Sequence, residues 1–125
     1  MSRVAKVLTV VVLGGMIGTG IRFGVASLAD SRGWSVAVAL LIVNSVGAFA
    51  LGWFVEWRAR NDMPDLASAL ISAGVLASFT TFSGVMVEAA ELARSSRVVA
   101  ALALLGASVA VGWLCAVSGR QVASR

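Results

Sequence analysis

Four stretches of this chain are free of charge or nearly so: Val7–Leu28, Trp34–Val55, Leu66–Val87 and Val98–Ser118. Each runs for about 20 residues, which at a helical rise of ~1.5 Å per residue matches the ~30 Å hydrocarbon core of a bilayer. The composition agrees. Of 125 residues 59% are hydrophobic and only 13% charged, where soluble domains carry about 25% charge. The chain reads as one all-α integral membrane domain over residues 1–125. Its four transmembrane helices are expected near residues 7–28, 34–57, 66–93 and 97–118. The first stretch is long and leads straight into the second, unlike a cleaved signal peptide. The single proline, Pro64, lies in the loop "RNDMPD" and marks the clearest chain break.

Net charge is +4. Because the basic residues flank the spans, lipid headgroups and topology account for them, and no nucleic-acid partner is implied. Trp34, Trp53 and Trp57 fall near the ends of the second span, where indoles anchor at the membrane interface. Four spans put the N-terminus, second loop and C-terminus on one side, with Arg3, Lys6, Arg58, Arg60, Arg120 and Arg125. The other side has Arg32, Arg94 and Arg97, with Arg22 near the end of its span. That imbalance favours an N-terminus-inside orientation.

Enzyme chemistry finds little support. The chain contains no histidine, which removes imidazole bases and His metal sites. Cys115 is the only cysteine and sits in an apolar stretch, as a buried, inert thiol would. Ser83 has no neighbouring base to activate it. The glycines of "LGGMIGTGIRFG" lie inside a membrane span with no strand before them, so they do not form a phosphate loop. Gly14 and Gly18 share a helix face and allow close approach of another helix. Ala48 and Gly52 repeat the pattern in the second span, and Ala107 and Val111 do so less clearly in the fourth.

Two polar features interrupt the apolar spans. Asn44 lies halfway across the second span, where an unsatisfied amide costs several kcal/mol. It either bonds another helix or lines a pore. Residues 78–84, "SFTTFSG", place two serines, two threonines and two phenylalanines at the centre of the third span. Polar groups persist at that depth only where they face protein or a cavity, often at a helix break whose carbonyls can hold a cation. Hydroxyls, an uncharged amide and the electropositive edges of phenylalanine rings together suit a small anion.

These segments, "GGMIGTGIRF", "VNSVGAF", "TTFS" followed by Glu88, and "GASVAVG", resemble the Fluc-type (CrcB) fluoride channels along nearly the whole chain. The resemblance implies a dual-topology dimer. Two four-helix subunits would insert antiparallel, with the third helix of each broken at the midplane. It implies passive, selective fluoride export that lowers cytoplasmic fluoride toxicity, in the plasma membrane of a prokaryote. Asn44, Thr81, Phe82, Ser83 and Ser108 correspond to fluoride-pore positions. The main-chain carbonyls of Ala77 and Thr80 correspond to ligands of a structural sodium ion at the dimer centre. Three pore positions depart from the family pattern. Val85 stands where a second phenylalanine is usual, Gly84 replaces a threonine, and Gly112 replaces a serine. Some members of the family are heterodimers. The degenerate motif and the charge bias favour, by a small margin, a heterodimer over a homodimer. A small multidrug-type antiparallel exporter is an alternative, but it needs an embedded carboxylate that the first span lacks. A non-conducting membrane assembly subunit is another, and it leaves Asn44 and "TTFS" without a role.

Overall fold

The computed structural model describes residues 1–125, which form helices and no strands. The first span, α1, is Arg3–Ser31, and the second, α2, is Val36–Arg60. Both begin at a serine whose hydroxyl accepts an otherwise unsatisfied amide: Ser2 from Ala5 at 3.2 Å and Ser35 from Val38 at 3.4 Å. Between them Gly33 adopts φ +70° and its N–H donates to the Asp30 carbonyl, a left-handed turn that glycine enters without strain. The third span is composite. It consists of α3 (Asp65–Ala69), a π-helical stretch Leu70–Leu76, α4 (Ala77–Phe79), two non-helical residues Thr80 and Thr81, and α5 (Phe82–Arg94). The fourth, α6, is Val98–Ala123. Each of the four is long and apolar enough to cross a membrane, and the third is broken near its middle, as the polar run predicts. This is a multi-pass membrane fold.

Main chains approach closely wherever small residues meet. Gly14 of the first span faces Gly74 in the π-helical stretch, so an added Cβ would lie 2.9 Å from the Gly74 Cα. Gly18 is covered in the same way by the Val75 carbonyl. The second span packs along the fourth through Gly52 on the Ala116 carbonyl and Gly119 on the Phe49 carbonyl. This crossing lies further along the fourth span than Ala107 and Val111, and Val111 is exposed. In hydrocarbon such contacts hold helices together by van der Waals packing, because lipid is as apolar as leucine. A small side-chain core of Val85, Ala89, Ala101 and Leu104 joins α5 to α6.

Only 16 of 125 residues are buried, so most of the apolar surface faces outward and needs lipid or protein to cover it. The polar ends are tied by ion pairs. Asp65 receives Arg3 at 2.8 Å and Arg58 at 3.5 Å. Glu56 receives Arg60 at 2.9 Å and Arg120 at 3.6 Å, and Arg60 also donates to the Ser124 carbonyl at 2.7 Å. These contacts gather the N-terminus, second loop and C-terminus at one end, as an even number of spans requires.

Candidate functional site: the break in the third span

At the break the Thr81 and Gly84 N–H groups have left the helical ladder for side-chain partners. In a continuous helix the Thr81 N–H would bond the Ala77 carbonyl, and the Gly84 N–H would bond the Thr80 carbonyl. Here Thr81 donates instead to Asn44 Oδ1 at 2.8 Å, and Gly84 donates to Thr81 Oγ1 at 3.0 Å. Thr80 is extended, with φ −77° and ψ 157°. The Ala77 and Thr80 carbonyls are thereby released from the main-chain pairing a regular helix would impose on them. Ala77 keeps only a 3.4 Å contact from the Thr80 hydroxyl. Thr81 in turn caps α5, a role for which threonine is well suited.

Asn44 grips the break from both sides of its amide. Its Oδ1 accepts from the Thr81 N–H, and its Nδ2 donates to the Thr81 carbonyl at 3.0 Å. One peptide unit's worth of hydrogen bonding is therefore supplied by a side chain 37 residues away. The amide carries two N–H groups, and this pairing uses one.

Two grooves flank the break. The larger, about 580 Å³, is lined by Asn44, Thr80, Thr81, Phe82, Val85, Ser108 and Gly112 among others. It contains no charged side chain. Phe82 is 75% exposed. The Ser108 hydroxyl is buried there without a hydrogen-bond partner. Val85 touches this groove but is 2% exposed, because its side chain is spent in the core with Ala89, Ala101 and Leu104. The second groove, about 500 Å³, lies toward the first span and is lined by Thr19, Arg22, Thr81, Ser83, Gly84 and Glu88, among others. Ser83 and Gly84 thus face away from Asn44, Phe82, Ser108 and Gly112, and Thr81 borders both grooves. The Ser83 hydroxyl stays linked to the site through Thr81 Oγ1, 3.3 Å away.

Two contributors went unread in the sequence. Gly47, one turn after Asn44, lies against Thr80 and the Phe79 ring, which is itself buried. Its spacing of three from Asn44 within "VNSVGAF" was the available signal. Thr19, from the first span, was hidden among glycines.

No group of three or more His, Cys, Asp or Glu side chains is placed to hold a metal. Main-chain oxygen is what the break offers a cation, and uncharged N–H and O–H groups are what the larger groove offers an anion.

Comparison with known proteins identifies the family. Residues 9–120 match the family described as CrcB-like protein, Camphor Resistance (CrcB). A protein of Stutzerimonas stutzeri named "Fluoride-specific ion channel FluC" is 36% identical, with 90% of this chain and 93% of the relative covered. Proteins of the same name from Methylobacterium nodulans and Oceanobacillus iheyensis are 38% and 30% identical; each comparison covers 82% of this chain, with 84% and 80% of the relative covered respectively. With four membrane-length helices, a third span broken at "TTFS" and a family match across nearly all of its length, the chain belongs to the CrcB family.

Proposed function

We propose that this chain is a subunit of a fluoride-selective channel that lets fluoride leave the cell passively across the prokaryotic plasma membrane. The observation that carries this reading is the uncharged groove beside the break. There Asn44 is fixed by Thr81, Phe82 presents its ring, and Ser108 holds a buried hydroxyl with no partner. A strongly hydrated anion needs donors to replace its water, and donors without formal charge release it again. Val85 offers no ring edge, and Gly112 no hydroxyl, so this groove has fewer anion contacts than the family pattern supplies. On the other side of the break, Ser83 and Arg22 add a hydroxyl and a cation, with Glu88 opposing the charge.

The released carbonyls of Ala77 and Thr80 fit a structural sodium ion shared with a second, antiparallel subunit. When bound, the ion would fix the two breaks against each other. The outward apolar surface and the excess of basic residues at the N-terminal end support a partner of opposite orientation, with a heterodimer favoured over a homodimer. That partner would supply the ring missing at Val85.

The test is fluoride efflux from liposomes holding the purified chain, alone and with a candidate partner from the same genome, with chloride as the control anion. Fluoride-selective flux is expected. Its absence in both preparations, with assembled protein present, overturns the reading. Robust flux from this chain alone, with both orientations detected by labelling single cysteines at the termini, overturns the heterodimer and leaves a homodimer.

A further inference from the structure

One helical turn of the second span holds both non-helical residues of the third. Thr81 is held by the Asn44 amide. Thr80 is held by shape. Its hydroxyl donates back to the Leu76 carbonyl at 3.3 Å, with the Ala77 carbonyl at 3.4 Å. With the hydroxyl turned onto its own helix, the γ2 methyl is directed at the second span and enters the space above Gly47. A Cβ at Gly47 would overlap that methyl and lie 3.2 Å from Cδ1 of Phe79. A β-branched side chain has few rotamers, so the methyl cannot turn aside while the hydroxyl keeps its bonds.

We propose that Gly47 is a positioning residue for permeation: the missing Cβ forms a socket for the Thr80 methyl and so sets the direction of the Thr80 carbonyl. Asn44 and Gly47, three residues apart, lie on one face of the helix. The first fixes the peptide of Thr81 by hydrogen bonds and the second fixes Thr80 by exclusion. The carbonyl of Thr80 stands between these two anchors, free of the helical ladder. A side chain at residue 47 would displace Thr80 and rotate that carbonyl, while the helix of the second span itself would tolerate alanine well. This inference rests on the reading of the chain as a fluoride channel with a cation held at the break.

The experiment compares wild type, Gly47→Ala, Thr80→Ser, Gly47→Ala/Thr80→Ser and Gly47→Ala/Thr80→Val in liposomes. Flux per assembled channel is measured, with a partner subunit where wild type needs one, as sodium is replaced stepwise by N-methylglucamine. Thr80→Ser removes the methyl and keeps the hydroxyl, whereas Thr80→Val keeps a methyl in the socket. Gly47→Ala is expected to lower flux about tenfold or more and to raise the sodium concentration needed for half-maximal flux. Thr80→Ser alone empties the socket and is expected to lower flux about threefold and raise the sodium midpoint, less than Gly47→Ala does; added to Gly47→Ala it brings both readouts back to the level of Thr80→Ser alone. The valine double variant restores neither. A purely structural glycine would change the amount of assembled protein and leave the sodium midpoint alone. Should Gly47→Ala fail to assemble, recovery of assembly and flux by Thr80→Ser, and not by Thr80→Val, still supports the socket. An unchanged sodium midpoint in an assembled Gly47→Ala channel, or a serine double variant that stays inactive, overturns it. Wild type without fluoride flux instead sinks the channel reading on which the inference stands.

Discussion

The two halves of the third span cross the same membrane but are held by different means. The first half, Asp65–Phe79, is rich in alanine, serine and glycine, and its middle is π-helical. It lies on the first span through main-chain contacts, with Gly74 against Gly14 and Val75 against Gly18. The second half, Phe82–Arg94, is the amphipathic one. Val85 and Ala89 pack on Ala101 and Leu104, while Ser83, Gly84 and Glu88 face a groove. Backbone-to-backbone contact leaves no side chain able to yield, whereas side-chain packing can adjust by changing rotamers. A chain joined from two such halves need not keep one helical register, and the second span fixes the junction at Thr80 and Thr81.

The strongest way to break this comparison is to insert bulk against each half. Gly14→Leu places atoms where the Leu70 carbonyl and Gly74 Cα already stand, at 2.5 and 2.9 Å from the first added carbon. Loss of assembled protein is expected, read by size-exclusion chromatography in mild detergent. Ala89→Val adds bulk to the second half and should cost only about 1–3 kcal/mol, seen as a lowered melting temperature with the oligomer retained. Equal tolerance of the two changes would show that the halves are not held differently.

Next in size is Asn44→Asp at the junction itself. The carboxylate still accepts the Thr81 N–H, but it loses the donor to the Thr81 carbonyl and sets a charge against that oxygen. Leaving a buried carbonyl unpaired and opposed costs about 2–3 kcal/mol, so fluoride flux should fall about 100-fold in assembled channel. Wild-type flux would remove Asn44 from the working site.

Much of this was legible beforehand, and the limits have physical causes. Membrane spans follow from hydropathy, a nearest-neighbour property, so all four could be read. The polar run "SFTTFSG" marked the break, because hydroxyls at that depth demand an explanation. The partner of Asn44 could not be read, since its bond reaches 37 residues along the chain. The sidedness of Ser83 and Gly84 was hidden for another reason. Two extended residues reset the helical phase, so the 100° step that relates Phe79 to its neighbours cannot be carried past Thr81. The close contact in the fourth span falls at Ala116 and Gly119, beyond Ala107 and Val111, because small residues mark where helices can approach without fixing where they do.

Val85 offers a smaller and sharper test. The family pattern makes Val85→Phe look like a restoration. Val85 is 2% exposed and its side chain packs on Leu104 and Ala89, so a ring built in its place is forced against that core. Overpacking of this kind costs about 1–3 kcal/mol. Val85→Phe is expected to lower the melting temperature without raising flux from this chain. Raised flux at unchanged stability would mean that the ring reaches the groove and that the second half of the span is looser than its core implies.

The smallest expected effect separates the two roles of Thr81. Its main chain is held by Asn44, while its side chain caps α5 by accepting the Gly84 N–H at 3.0 Å. Thr81→Ser keeps the hydroxyl and should match wild type in both stability and flux. Thr81→Ala removes the cap and leaves the Gly84 N–H without its partner, at about 1 kcal/mol. The Asn44 grip on the peptide is untouched by either change, so the break should persist and flux should fall only about threefold. The reading is a melting curve beside an efflux trace for the three proteins. If Thr81→Ala instead abolishes flux while Thr81→Ser does not, the hydroxyl itself contacts the permeating ion. The residue bordering both grooves would then be a conducting group as well as a cap, and the two halves of the span would meet in the pore.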